Sequence, residues 1–347
     1  QTPRTNFVFF ISQYILLFTL FYVFWLNRAQ LKFSHFFIAA VLLRLVLLFA
    51  TPELSNDFYR FIWDGELITQ GTNPFANTPD QIFHDPMLYT NEYMRVLYHG
   101  MGNLSQEHYT CYPVLNQLLF FIPALFSDSI FYNVLGLKII IILADIGAIY
   151  FTKKIAEHLD VNVHNIWLYA LNPFIILEFS GNLHFEGVMI FFLLGALYYI
   201  MKNNWLLGGI LFGLAVQIKL IPLMLIPFVY KKLKWRMSLG FTALTAFVVL
   251  GVGGIMLNEV YFHNMMDSVN EYFIRFQFNG SLFYIVREIG FATAGWDPIL
   301  VAGPAMAAIS TLGILTLAVM RAYRHDLDIL KGMMFAFMIY YSLATTV

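Results

Sequence analysis

The chain has 347 residues, of which 59% are hydrophobic and only 12% charged, where a soluble protein carries about 25% charged residues. So apolar a chain cannot cover a water-facing surface, and its net charge of -1 excludes a generally basic nucleic-acid binder. One cysteine, Cys111, excludes an internal disulfide framework and a Cys-based metal cluster. The fold class this predicts is an all-α polytopic membrane protein.

A helix needs about 20 apolar residues to cross the hydrocarbon core. In chain order such runs lie at 7–26 and 33–51, followed by a long polar insertion at 52–112. Next come 113–126, apolar but short, then 130–150, 164–180, 183–201, a longer interrupted run at 204–229, and 236–257. A second polar insertion, 258–296, precedes 297–320 and 332–347. These lengths predict about nine to eleven helices, gathered in one membrane-embedded domain over 1–347. The runs are continuous rather than alternating, which argues against a barrel.

Cytoplasmic loops are enriched in Lys and Arg. Arg28 with Lys32, Lys153 with Lys154, and the cluster Lys231, Lys232, Lys234 and Arg236 therefore read as cytoplasmic. That places 52–112 and the turn Gly181-Asn182-Leu183-His184 outside. The segment 113–126 is then either a short re-entrant piece or a sign that Lys153 and Lys154 break the rule. Lys202 and Lys231 put both ends of 204–229 on the cytoplasmic side, while Lys219, Pro222 and Pro227 interrupt its middle. Two half-helices meeting near Lys219 satisfy this, since broken helices are tolerated where they line a polar cavity.

Ionisable residues inside spans cost about 2.5–3.5 kcal/mol each on insertion scales. Arg44, Lys138, Asp145, Glu178, His184, Glu186 and Lys219 lie in or near apolar runs. They either line a cavity for a charged substrate, or pair with one another or snorkel to headgroups; for Arg44 and Lys138 the second reading is favoured. For Lys219, deep between Gln217 and a helix-breaking proline, the functional reading is favoured. Asp145 has a lysine on a neighbouring helix as its expected partner, and Glu178 and Glu186 could be plain interface residues. His84, His99 and His108 are scattered without metal-ligand spacing, and the glycines around 208–213 and 251–254 suit helix packing rather than phosphate binding.

The most informative stretch runs from Ser55-Asn56-Asp57-Phe58-Tyr59-Arg60-Phe61-Ile62-Trp63-Asp64-Gly65 to Gly71-Thr72-Asn73-Pro74-Phe75. Ser55 or Asn56 is a natural N-cap, and Gly71 with Pro74 a natural stop. The helix between them puts Asp57, Arg60 and Asp64 on one face. Phe58, Phe61, Ile62 and Trp63 cover the apolar side, with Trp63 and Tyr59 suited to the membrane–water boundary. An amphipathic helix on the outer leaflet is expected. Asp57, level with the headgroups, can act as general base toward a hydroxyl, and Arg or Lys nearby can hold a phosphate leaving group.

This segment resembles the loop of GT-C glycosyltransferases, especially mannosyltransferases that use polyprenyl-phosphate-mannose, in the pattern Asp-x-Tyr-Arg-(aromatic)-x-Trp-Asp-Gly followed by Gly-x-Asn-Pro-(aromatic). Further elements follow in the family's order. They are Tyr112-Pro113 with Gln117, Leu171-Asn172-Pro173-Phe174 with Glu178, Gly181-Asn182-Leu183-His184-Phe185-Glu186, the helix Gly213-Leu214-Ala215 to Lys219 and Pro222, and Phe278-Asn279-Gly280-Ser281. The catalytic subunit of GPI mannosyltransferase shows a related layout.

What the resemblance implies is a GT-C bundle with its active site at the extracytoplasmic face, most simply of a bacterial plasma membrane. The donor is mannose on polyprenyl phosphate, and the reaction inverts the anomeric carbon. Asp57 is the catalytic base it implies. Arg60, Asp64, His184, Lys219, Arg275 and Asn279 are the candidates for donor phosphate or sugar, and Tyr59 and Glu186 for the acceptor side. No cofactor is expected. Relatives often carry a second acid in the loop where Ser55 and Asn56 stand here, which disfavours a bridging divalent metal. Glu186 replaces the family's aspartate, and the family's layout continues through further helices after residue 347. The acceptor, a lipid, glycan or protein hydroxyl, stays open. So do glucose or arabinose as donor sugar, and a lipid-linked glycan transporter or flippase as a rival class, although no internal repeat of the kind transporters show is visible.

Overall fold

The computed structural model describes residues 6–28, 30, 32–85, 91–274, 276–278 and 280–345, without the side chains of 272–274. Among them the chain is helical, with no strand. Helices α1 (Phe7–Leu26) and α2 (Phe33–Val46) lead into a cap of α3 (Asp57–Thr69), α4 (Pro79–His84), α5 (Glu92–Met101) and α6 (Asn103–Glu107). The bundle continues through α7 (Val114–Ala124) and α8 (Ile130–His158). A broken stretch follows: a 3-10 turn at Val163–Ile166, α9 (Trp167–Ala170), α10 (Pro173–Ile175) and a π-helical segment Ile176–Gly181. Then come α11 (Glu186–Met201), α12 (Trp205–Ile218), a 3-10 turn Ile221–Leu225, α13 (Ile226–Lys232), α14 (Trp235–Gly253), α15 (Glu259–Ile274), α16 (Ser281–Ala294), α17 (Ile299–Met320) and α18 (Asp326–Leu343).

Local chemistry accounts for these boundaries. Asn6 caps α1, which has no buried residue and presents a mostly apolar surface, with the Ser12 and Thr19 hydroxyls turned back onto the Val8 and Ile15 carbonyls. Thr78 and Gln81 form a reciprocal capping box on α4, with Pro79 in its first turn. Helices α12 and α14 approach to backbone distance because glycines face the contact. A Cβ at Gly213 would lie 2.8 Å from the Val248 Cβ, and one at Gly209 would lie 3.2 Å from the Phe241 carbonyl oxygen.

The structure revises several of the expectations from sequence. Among the described residues only α1, α8, α14 and α17 are long and apolar enough to cross a membrane alone, with Pro173–Gly181 and Glu186–Met201 counting as a fifth, bent by 114°. The expected straight span 164–180 is broken, because Pro173 has no N–H to donate and Asn172 caps the next turn through its side chain. The half-helices expected around Lys219 are present: α12 ends at Ile218, Lys219 is extended at φ -151°, and a 3-10 turn leads into α13. The expected interfacial helix is not one. Phe58, Phe61, Ile62 and Trp63 of α3 are buried, and α3 packs between α5 and α7 with α8 alongside. Its apolar side meets protein rather than lipid, and Trp63 has no hydrogen-bond partner for its Nε1.

Two ends of the bundle differ in charge. At one, Asp326 of α18 accepts from His158 Nε2 at 2.9 Å and pairs with Lys232 Nζ at 2.7 Å, joining the ends of α8, α13 and α18. Lys153 covers the Phe33 ring there, at the start of α2. Lys202, Lys231, Lys234 and Arg236 flank the same ends. At the other end polar side chains bind backbone: Asn116 Nδ2 donates to the Ile218 carbonyl at 2.6 Å, Gln217 Nε2 to Val249 at 2.6 Å, and Asn73 Nδ2 to Met256 at 2.7 Å. That second end carries α3.

Candidate functional site

Residues 51–56 form a strap between α2 and α3. Asn56, the last of them, donates from Nδ2 to the carbonyl oxygens of Gly100 (3.3 Å) and Met101 (2.9 Å) at the end of α5. Ser55 Oγ accepts from the Asp57 N–H at 3.2 Å. Asp57 therefore opens α3 half-exposed, in the first turn, where the helix dipole favours a negative charge. Its carboxylate has no hydrogen-bond or ion partner among the described residues.

Arg60 and Asp64, both candidates for the donor, sit one and two turns further in and bind each other. Arg60 Nε donates to Asp64 Oδ1 at 2.8 Å, and Arg60 Nη1 to the carbonyls of Ser105 (2.5 Å) and His108 (3.0 Å). Asp64 is 0% exposed and also accepts from Gln117 Nε2 at 3.1 Å. The pair braces α3 against α6 and the residue that follows it, and against α7. Tyr59, expected on the acceptor side, stands two residues from Asp57 and so on a different face of the helix. It stacks on Phe58 at 4.2 Å, packs on Gly100, and borders a cavity of about 420 Å³ with the strap.

His184 and Glu186 sit at the 114° bend. The backbone is unusual there: a π-helical segment ends at Gly181, and Leu183, fully buried, takes φ +64°, a left-handed conformation that costs of order 1–3 kcal/mol in a residue with a Cβ. The turn this makes lets His184 Nδ1 approach Glu178 Oε2 at 3.7 Å, while Asn182 Nδ2 donates to the same oxygen at 3.2 Å. Two residues on, Glu186 pairs with Lys219, so the bend and the break in α12 meet. The phenols of Tyr340 and Tyr341, which the sequence did not single out because they sit in a late apolar run, lie within electrostatic reach of this pair.

An aromatic floor joins the two halves. The Phe61 ring lies 4.6 Å from Phe120, 5.0 Å from Tyr112 and 5.5 Å from Phe185. Phe61 is one helical turn beyond Asp57, and Phe185 stands between His184 and Glu186. The elements carrying Asp57, His184, Glu186 and Lys219 thus converge on one end of the bundle, as does Tyr112 of the loop before α7. Arg275 and Asn279 lie outside the described residues. Near them, Gln277 Nε2 donates to Asp297 at 2.6 Å and Arg287 Nη1 donates to Gln277 at 3.1 Å.

The intramembrane charges pair with one another at Arg44, as expected, but the partner of Asp145 is that arginine and not a lysine: Arg44 Nε lies 2.6 Å from its Oδ2, and the Tyr169 hydroxyl donates to its Oδ1 at 2.6 Å. Arg44 Nη1 donates to the carbonyls of Ala40 and Ala170, both at 2.8 Å. This is a closed network inside the bundle, neither snorkelling nor facing a cavity. Among the described residues no group of three or more His, Cys, Asp or Glu is placed to hold a metal ion.

Over 184 residues the chain is 23% identical to alpha-(1->6)-mannopyranosyltransferase A of Corynebacterium glutamicum, covering 53% of this chain and 36% of that one. Over 149 residues it is 26% identical to GPI mannosyltransferase 1 of Kluyveromyces lactis, covering 41% of this chain and 33% of the other. The aligned region thus spans about a third of the length of these curated relatives. No solved structure matches the chain significantly. A family model matches residues 4–234, well over half of the chain and every site element from α3 through Lys219, and the chain belongs to that family, described as alpha-(1->6)-mannopyranosyltransferase, N-terminal domain.

Proposed function

We propose that the protein transfers mannose from a polyprenyl-phosphate donor to an acceptor hydroxyl, inverting at the anomeric carbon, with Asp57 as general base. The acceptor O–H gives its proton to the Asp57 carboxylate as its oxygen bonds to the anomeric carbon. The bond from that carbon to the phosphate oxygen breaks, and polyprenyl phosphate leaves with the electron pair. Lys219 and His184, cationic or hydrogen-bonding groups at the same end, are the residues assigned to the leaving phosphate. The site end lies opposite the basic cluster, which the positive-inside rule makes extracytoplasmic, and we assign the protein to a bacterial plasma membrane.

The observation that carries this reading is the pairing of the charges at the site end. Arg60 is paired with Asp64 and Glu186 with Lys219, and Glu178 lies 3.7 Å from His184, whereas among the described residues Asp57 keeps an unpaired carboxylate in the first turn of a helix. The names of the two relatives favour mannose over glucose or arabinose. The test is transfer from radiolabelled polyprenyl-phosphate-mannose in membranes, comparing the wild type with Asp57→Asn. A loss of about 100-fold or more with unchanged folding is expected for removal of the base. Equal transfer by the two proteins would refute the role of Asp57.

A further inference from the structure

Lys138 is fully buried in the first half of α8 and, among the described residues, has no carboxylate partner. Its ammonium donates to two backbone carbonyls, Leu47 at 2.7 Å and Ala50 at 2.6 Å. An enclosed cation without a counter-ion is costly, and a membrane protein keeps one where it serves a purpose. Leu47 is the C-cap of α2 and Ala50 closes the turn after it, its N–H donating to the Leu47 carbonyl at 3.2 Å; a positive charge at this helix end complements the dipole. Bulk fixation of α2 needs no such device, because Arg44, Asp145 and Tyr169 already lock it to α8 and α9.

What Lys138 adds lies further along the chain. Ala50 is the residue before the strap, and Asn56 at its far end is pinned to Gly100 and Met101. The strap that delivers Asp57 is therefore held at both ends, by an ammonium at one and an amide at the other. Leu47 also reaches the His184 bend, since a Cβ built on Gly181 would lie 3.7 Å from its Cδ1. One buried cation thus fixes the backbone between the proposed base and the turn carrying Glu178 and His184.

We infer that Lys138 is a positioning residue that sets the height and orientation of Asp57 by clamping the carbonyls of Leu47 and Ala50. This rests on the proposed transfer reaction for its kinetic consequence but not for its structural one. The experiment combines two readouts on the full chain in nanodiscs. A nitroxide at Ser55→Cys, in a Cys111→Ser background, reports strap mobility by electron paramagnetic resonance. Mannosyl transfer reports kcat and donor KM per folded protein. Lys138→Met should mobilise the label and lower kcat about 10- to 100-fold, the scale on which misplacement by about 1 Å acts, with donor KM within twofold of wild type. Lys138→Arg, which can donate to the same carbonyls, should restore both.

An unchanged label spectrum in Lys138→Met overturns the inference whatever the activity. So does a donor KM that rises while kcat holds, which would make Lys138 a phosphate-binding group, or a lowered unfolding temperature with normal kcat, which would make it a core residue only. If the wild type transfers no mannose, the proposed function falls, and the label alone still decides whether the clamp exists.

Discussion

Removing Asp64 tests whether α3 is braced as described. Asp64→Ala leaves the Arg60 guanidinium, 4% exposed, without its carboxylate, and breaking one side of a buried pair costs about 3–5 kcal/mol. Two details set the expectation near the lower bound, at about 3 kcal/mol. Arg60 Nη1 keeps the Ser105 and His108 carbonyls, and Gln117 Nε2 keeps Thr110 Oγ1 at 2.9 Å and the Tyr112 carbonyl at 3.2 Å. Replacing both partners by apolar side chains of similar volume, Arg60→Met with Asp64→Leu, should recover most of the loss, because no charge is then stranded. The assay is chemical unfolding in detergent, with mannosyl transfer measured on the folded fraction. The double variant should be nearly as stable as wild type and keep its donor KM. A destabilisation below about 1 kcal/mol for Asp64→Ala, the range of exposed pairs, together with a raised donor KM would refute the brace and return both residues to the donor site.

Other perturbations probe different links. Glu66 is buried near Tyr93, and burial, reinforced by the nearby charge of Asp128 and only partly opposed by the Thr69 hydroxyl, pushes its carboxyl up to about 7. A carboxyl raised in the fold contributes stability that is complete below its unfolded value of 4.5 and lost as pH rises through about 7. Glu66→Gln should therefore match wild type at pH 4 and gain over it progressively to pH 8, by about 2 kcal/mol or less. Parallel unfolding curves across that pH range would show that Glu66 is not held neutral. Gly213→Ala should destabilise by about 1–3 kcal/mol through overpacking against Val248, with partial recovery by Val248→Ala; a neutral result would mean that α12 and α14 do not pack as closely as they stand.

Hydropathy identifies α1, α14 and α17 because each is a continuous apolar run of 19 to 22 residues. It cut α8 short at residue 150, since Lys153, Lys154 and Glu157 end the apolar window while the helix runs on to His158, no Gly or Pro stopping it before Leu159 caps its end. The mistaken surface helix has a specific cause. Arg60 and Asp64 look like water-facing charges in sequence, but at i and i+4 they neutralise each other, and the helix can then be buried on all sides. Partners far apart in sequence stayed hidden for another reason. Arg44 with Asp145 and Glu186 with Lys219 were each marked as costly charges, yet no local pattern says which cation meets which carboxylate. Asn172-Pro173 matches a family element, but its plainer meaning, a stop, breaks the expected span. The left-handed Leu183 carries no sequence signal, because its side chain is anchored by burial rather than by glycine's freedom.

In the proposed reaction, the pairs around the site have unequal parts. Arg60–Asp64 is enclosed, so exchanging either partner for a substrate group would strand a charge in a low-dielectric interior. Glu186–Lys219 is different: the two side chains are 32% and 44% exposed, and a partly solvated pair can trade partners at small net cost. A phosphate arriving at this end would compete with Glu186 for Lys219, and the released Glu186 carboxylate could then hydrogen-bond sugar hydroxyls. Asp57 needs no exchange, having no partner to lose. The site would thus gain its phosphate affinity only when the donor is present, and Glu186→Gln should tighten donor binding by freeing Lys219 in advance. A lowered donor KM in that variant, with kcat reduced or unchanged, is the expected outcome; a raised KM would mean that Glu186 holds Lys219 in place for the donor rather than guarding it.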